Sequence, residues 1–285
     1  MSEITADMSG KVCLVTGATS GIGEAAAQAL AGLGARIVIL ARHRERCERS
    51  SAHIRDVSGN PAVDYLVADL SSQSEIRRAA GEFVQRYDRL DVLVNNAGGF
   101  FMKRQVSPDG IELTFALNHL NYFLLTNLLL PLIKSSAPAR IINVSSGAHR
   151  GAKIDFDDLE GRRSYNGWKA YAQSKLANLL FTYELARRLD VAQVTVNAMH
   201  PGFVSTRFAK NNGWLYKVGL SIVHIFARKP VEGARTVVYL ATSPEVAGVT
   251  GKYFFDKQEV PSAPASYDEE SAGRLWQIST QMVNL

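Results

Sequence analysis

The stretch "KVCLVTGATSGIGEAAAQAL", residues 11 to 30, decides how the chain is read. Its first six residues are an apolar, partly β-branched run of strand type, and its last part is a helix former. Between them lie glycines at 17, 21 and 23, spaced G-x-x-x-G-x-G. Glycine permits a tight turn and a close backbone approach, while a helix starting near Ser20 to Ile22 presents free N–H groups and a positive dipole end to an anion. Strand, glycine turn and helix in this order predict a diphosphate site for a dinucleotide, held by Gly17, Thr19, Ser20, Gly21, Ile22 and Gly23.

Outward from this unit, the same alternation continues. "ARIVIL", "AVDYLVA", "LDVLVN", "ARIINVS", "QVTVNAM" and "KYFFD" read as further strands, separated by segments of helical periodicity. Repeated βαβ units predict an α/β fold of Rossmann type, a doubly wound, mostly seven-stranded parallel sheet flanked by helices. No linker or internal repeat divides the chain, so residues 1–285 are expected to form one dinucleotide-binding domain. With 285 residues, 46% of them hydrophobic, the chain is long enough for a sizeable core. The net charge of +5 is spread along the sequence, without a basic tract or a nucleic-acid motif, and a phosphate-bearing small molecule accounts for it. Two cysteines, Cys13 in a strand and Cys47 in "RHRERCER", predict free thiols and a reducing compartment. The N-terminus has no apolar leader, and the protein is expected to be soluble and cytoplasmic.

In an open parallel sheet, ligands lie outside the carboxyl ends of the strands. The second strand ends at Arg42, with Arg44 and Arg46 behind it. An acidic residue there would grip a ribose hydroxyl, whereas arginine suits a 2′-phosphate, so NADP is expected in preference to NAD. Asp69 and Leu70 after the third strand, and Asn95, Ala97 and Gly98 after the fourth, are candidates for the adenosine side.

"GWKAYAQSKLANLL", residues 167 to 180, carries Tyr171 and Lys175 four apart on a helix, hence on one face. An ammonium about 5 Å from the phenol favours phenolate by roughly 3 kcal/mol, about two pKa units, at an effective dielectric near 20. That reading predicts a tyrosine titrating close to working pH and able to exchange a proton with a carbonyl or alcohol oxygen. Ser146, one step beyond the fifth strand, can hydrogen-bond the same substrate oxygen. Asn118 interrupts the apolar helix "LTFALNHLNYFLLTNLLL" and is a fourth polar candidate.

Taken together, Thr16-Gly17-x3-Gly21-x-Gly23, Asn95-Asn96-Ala97-Gly98, Asn118, Ser146, Tyr171-x3-Lys175 and Pro201-Gly202 resemble the short-chain dehydrogenase/reductase family over about residues 11 to 256. The resemblance implies a catalytic tetrad: Tyr171 as general acid/base, Ser146 orienting the substrate oxygen, Lys175 lowering the tyrosine pKa and binding the nicotinamide ribose, and Asn118 holding a relay water. It further implies that Pro201, Gly202, Val204 and Thr206 contact the nicotinamide or the phosphates, and that no metal takes part. The insert "GAKIDFDDLEGRRSYNGWKA", the run "SKLANLLFTYELARRL" and "MHPGFVSTRF" are similar to the retinol-dehydrogenase-like group, which also contains the WW-domain oxidoreductase.

By the same resemblance, about residues 203–229 form a substrate lid. Its apolar content, from Trp214 to Phe226, predicts a lipophilic, retinal-like aldehyde, ketone or alcohol. Its basic flanks would also suit peripheral contact with a membrane surface. A steroid or a small polar carbonyl is the alternative substrate, and a non-catalytic NADP(H)-sensing protein the alternative class. Monomers and homo-oligomers both occur in the family.

Overall fold

The structure, a computed structural model, describes residues 6–202 and 228–285. Strand β1 (Val12–Thr16) is buried throughout, and its alternate residues enter different cores: Val12 and Leu14 pack on one side of the sheet, Cys13 and Val15 on the other. This is the two-sided burial that selects continuous apolar strands in a parallel sheet. The others are β2 (Arg36–Ala41), β3 (Val63–Val67), β4 (Val92–Asn95), β5 (Ala139–Val144), β6 (Val194–Met199), β7 (Tyr253–Phe255) and the two-residue β8 (Gln258–Glu259). Their order is β3-β2-β1-β4-β5-β6-β7-β8. The first seven run parallel, as the alternating sequence predicts, and β8 folds back antiparallel on β7. The sequence reading ended at β7, because two exposed polar residues carry no strand periodicity.

One sheet face is covered by α1 (Gly21–Gly32), α2 (Arg44–Ser58) and α6 (Pro230–Thr242). The other carries α3 (Gln73–Arg86), α4 (Leu113–Ser135) and α5 (Gly167–Arg188), with α7 (Glu269–Val283) packed on α5. Helix α4 is long and apolar enough to cross a membrane, yet 67% of its most apolar window is buried inside the protein. Five of its residues, Ala116–Leu120, are wound as a π-helix rather than an α-helix. Such one-residue bulges cluster at functional sites. Cys13 and Cys47 are both free and buried, as the sequence predicts.

The C-terminal helix docks through Trp276, which lies against Phe123 and Phe181, and through Ser279, whose hydroxyl is 2.9 Å from His119 Nε2. His119 is only 1% exposed, and burial pushes its pKa down to about 4. The unfolded chain therefore takes up a proton near pH 6.5 that the folded chain refuses, so stability contributed by the neutral ring is lost as pH falls below 6.5. At pH 5 this one group is expected to lower the unfolding free energy by about 2 kcal/mol relative to pH 7. Urea midpoints across that range check it, with His119→Gln giving a flatter profile.

Candidate active site

The chain leaves β1, builds β2 and β3 outward, and returns to the other side of β1 with β4. At this switch point the loops after β1 and β4 diverge and open a crevice. Thr16 fastens the two loops together: its hydroxyl accepts from the N–H groups of Asn96 (2.8 Å) and Ala97 (3.0 Å). The Asn96 amide in turn donates to the Thr16 carbonyl at 2.8 Å. Gly17 sits at φ +66°, and a Cβ there would lie 2.9 Å from the Ala97 Cα, so the loops can approach this closely only around a glycine.

This arrangement corrects the sequence reading of Asn95. Its side chain is fully buried and donates to Thr126 Oγ1 and Asn143 Oδ1, both at 2.9 Å. It belongs to an interior polar ladder that continues from Asn143 to Thr182. A strand residue's side chain follows the pleat, and at the last position of β4 that places the amide in the core rather than at the sheet edge. Asn96, to which the sequence reading gave no separate role, is the residue that shapes the crevice. Leu70 is likewise turned into the core at 4% exposure. Asp69 is spent partly on its own turn, accepting from the Ser71 N–H and hydroxyl. Arg42 stands exposed at the end of β2, its Nε 3.3 Å from His43 Nε2.

Two neighbouring strand ends and two helices supply the rest. Ser145 and Ser146 follow β5, and His200, Pro201 and Gly202 follow β6. Helix α5 runs beneath them and is tied to β5 through the Ser145 hydroxyl, which donates to the Lys175 carbonyl at 2.9 Å. Tyr171 is 8% exposed and shares a side-chain hydrogen bond with Ser146. The Lys175 ammonium, 4% exposed, donates to the Val144 carbonyl at 3.0 Å and lies 5.7 Å from the centre of the Tyr171 ring. Asn118, at the middle of the π-turn, accepts from the Gly99 N–H at 2.7 Å and donates to the Gly99 carbonyl and to Ser174 Oγ. Asn118, Ser146, Tyr171 and Lys175 thus converge at one edge. The Asn118 side chain is committed to holding the loop after β4. Val204, Thr206 and nearly all of the expected lid lie outside the described residues.

The electrostatics differ from the expectation. Burial pushes the Tyr171 phenol up to about 12, with the Ser146 hydrogen bond pulling the other way, and burial pushes Lys175 down to about 7. A fixed ammonium in a uniform medium would favour the phenolate. In the fold both groups lose water, and desolvation outweighs their mutual attraction.

The groups present fit a nicotinamide dinucleotide. Ser20 caps α1 without a side-chain bond, so the N–H groups of the first turn are not taken up by the capping hydroxyl. Gly98 forms a floor between two of the candidate groups: a Cβ there would lie 3.0 Å from Asn118 Oδ1 and 3.6 Å from Lys175 Nζ. Lys175 has a single hydrogen-bond acceptor among the described residues, which leaves two ammonium donors for ligand hydroxyls. Among the described residues no group of His, Cys, Asp and Glu has the arrangement of a metal site.

The family model of the short chain dehydrogenases matches residues 11–214. The chain belongs to this family. Within the family it falls in the retinol-dehydrogenase-like group. It is 46% identical to retinol dehydrogenase 14 of Homo sapiens over 294 residues, covering 98% of this chain and 88% of that protein. Among solved structures it is similar to an uncharacterized protein from Mycobacterium paratuberculosis, with a TM-score of 0.79, 31% identity, and 98% and 96% of the two chains covered. It is also similar to the RhlG/NADP active-site complex of Pseudomonas aeruginosa, with a TM-score of 0.71 and 30% identity, over 89% of this chain and 97% of that one. This short-chain dehydrogenase is accordingly an oxidoreductase working with a nicotinamide cofactor.

Proposed function

We propose that the protein is an NADPH-dependent reductase of flat, lipophilic aldehydes or ketones, retinal-like in size and shape. The observation that carries the substrate class is the aromatic wall beside the general acid. Phe100 meets the Tyr171 ring edge to face at 5.8 Å, and Trp168, three residues before Tyr171, packs against both at 6.5 and 6.1 Å. Trp168 is 61% exposed, and Met102 next to it 51%. A large indole left this open costs solvation free energy, and its continuity with the Tyr171 ring gives it a use: a flat conjugated chain can stack there while its oxygen reaches the phenol. The relationship to retinol dehydrogenase 14 supports the same class.

NADPH is favoured by Arg42 at the end of β2, with Arg44 and Arg46 following, and by the NADP held in the related Pseudomonas structure. When bound, the cofactor supplies the hydride. The protein's own part is proton delivery and orientation. The phenol is protonated at pH 7 and can donate to a carbonyl oxygen, and the Ser146 hydrogen bond, which works against the rise caused by burial, assists that transfer. Ser146 holds that oxygen beside it, and Lys175, near 7, can exchange protons with the site at neutral pH.

The test is oxidation of NADPH and, separately, NADH by the purified protein with carbonyls from short aldehydes to all-trans-retinal. Turnover that prefers NADPH and grows with chain length supports the reading; equal turnover of short polar carbonyls sinks the substrate class. Trp168→Ala is expected to lower kcat/KM for retinal about tenfold, the value of one aromatic contact, and to leave a three-carbon aldehyde unchanged. Arg42→Glu should weaken NADPH binding roughly 10- to 100-fold, as expected for a lost charged hydrogen bond, without weakening NADH. Fluorescence titration of the two cofactors reads that directly, and a parallel loss for both would remove the 2′-phosphate assignment.

A further inference from the structure

His149 lies three residues beyond Ser146, at the end of the 3-10 turn Gly147–His149, and is fully buried. Its ring is held at both nitrogens. Nε2 is 3.0 Å from the backbone N–H of Ala263, a group that can only donate, so Nε2 is the acceptor. The proton of the neutral ring therefore sits on Nδ1, 2.6 Å from the Ser146 carbonyl, to which it donates. Tyr253 closes one side of the ring edge to face at 5.1 Å.

The segment that receives Nε2 is itself fixed to the catalytic helix. Ser262 Oγ is 2.7 Å from the hydroxyl of Tyr183, on the same helix α5 as Tyr171 and Lys175, and 2.6 Å from Ser266 Oγ. The Ser262 N–H donates to the Tyr183-stacked Tyr267 hydroxyl at 3.0 Å. A closed circuit results: Ser146 to His149, His149 to the 261–267 segment, that segment to α5, and α5 back to Ser146 through Tyr171.

We propose that His149 is a positioning residue for Ser146, a neutral imidazole protonated on Nδ1 that clamps the Ser146 carbonyl to the 261–263 segment and so keeps the Ser146 hydroxyl directed at Tyr171. The proposal rests on the reductase reading for Ser146 and adds to it a residue that touches neither cofactor nor substrate. A clamp of this kind acts on geometry, and a displacement on the order of 1 Å in a catalytic group can slow turnover about 100-fold.

Three variants test it with all-trans-retinal and NADPH. His149→Phe keeps the ring's contact with Tyr253 and removes both polar ends; it should lower kcat roughly 10- to 100-fold with the NADPH Kd unchanged. His149→Asn keeps a donor near the Nδ1 position and should recover most of the loss. In a Ser146→Ala background, His149→Phe should have little further effect, because the two act as one unit. Independent losses that multiply, no recovery in the Asn variant, or a kcat for the Phe variant within twofold of the parent would each overturn the clamp. A readout without turnover accompanies these: nitrogen NMR of the wild-type ring at pH 7 should show the neutral Nδ1–H tautomer, and an Nε2–H tautomer or an imidazolium would overturn the proposal. Absence of any carbonyl reduction by the parent protein would count against the reductase reading and leave the NMR result to decide the clamp.

Discussion

Tyr171→Phe is expected to lower kcat for carbonyl reduction about 100- to 10,000-fold, the range of a positioned general acid, while the Kd for NADPH stays within about twofold. The phenol hydroxyl is the group proposed to give its proton to the substrate oxygen, and its ring contacts with Phe100 and Trp168 survive the substitution. The protein should therefore fold and bind cofactor as before. Stopped-flow measurement of NADPH oxidation separates the chemical step from binding. A variant retaining more than a tenth of the parent rate would show that the proton comes from elsewhere and would strip Tyr171 of its role.

The second large effect is on stability as well as rate. Lys175 is buried with a pKa near 7, whereas the unfolded chain holds its proton up to about pH 10.5. Between these two values the unfolded state binds more protons, so this group makes the wild-type protein less stable at pH 7 than at pH 10. Lys175→Met removes a buried amine in favour of an apolar chain of similar length. The Val144 carbonyl keeps the Tyr122 hydroxyl, at 3.3 Å, as a donor. The variant is expected to be inactive, yet more stable than the parent by about 1 to 3 kcal/mol at pH 7, with the gap shrinking toward pH 10. Chemical denaturation at the two pH values measures both the sign and its pH dependence. A less stable variant at pH 7 would mean that the lysine's contacts with Val144, Tyr122 and Tyr171 outweigh its burial.

Most of the scaffold was legible because it is written in two periodicities. A parallel sheet buried on both faces forces apolar strands, and the glycine turn after β1 announces where they meet a phosphate. The nearness of Tyr171 and Lys175 was legible through fixed spacing, the two being one helical turn apart. What failed were properties that only burial creates. The sign of the Tyr171 shift could not follow from a pairwise distance, since it depends on water removed by Phe100, Trp168 and the strands behind. Asn95 and Asn96 are adjacent and chemically alike, and the direction in which each points depends on where β4 stops. His149 left a trace, a histidine three residues after the site serine, but its partner Ala263 is 114 residues away and a backbone N–H has no sequence signature. Trp168 was visible as a residue, though not as an exposed ring leaning on the catalytic one.

The π-turn in α4 constrains what evolution or an engineer can do with that helix. Five residues occupy a turn that an α-helix would close with fewer, so the turn behaves as one inserted residue. Deleting one residue within Ala116–Leu120 would restore regular winding with the two flanking halves close to their present phase, whereas a deletion in the regular part of α4 would turn everything on one side of the cut by about 100° relative to the other. After such a deletion in the regular turns between Asn121 and Leu129, either Asn118 would swing away from Gly99 and Ser174 or the core residues beyond the cut, Leu129 among them, would be rotated out of place. The π-turn is thus the one place in α4 where a change of length by one residue keeps both halves in phase, and single-codon deletions should be tolerated least in the regular turns that follow it.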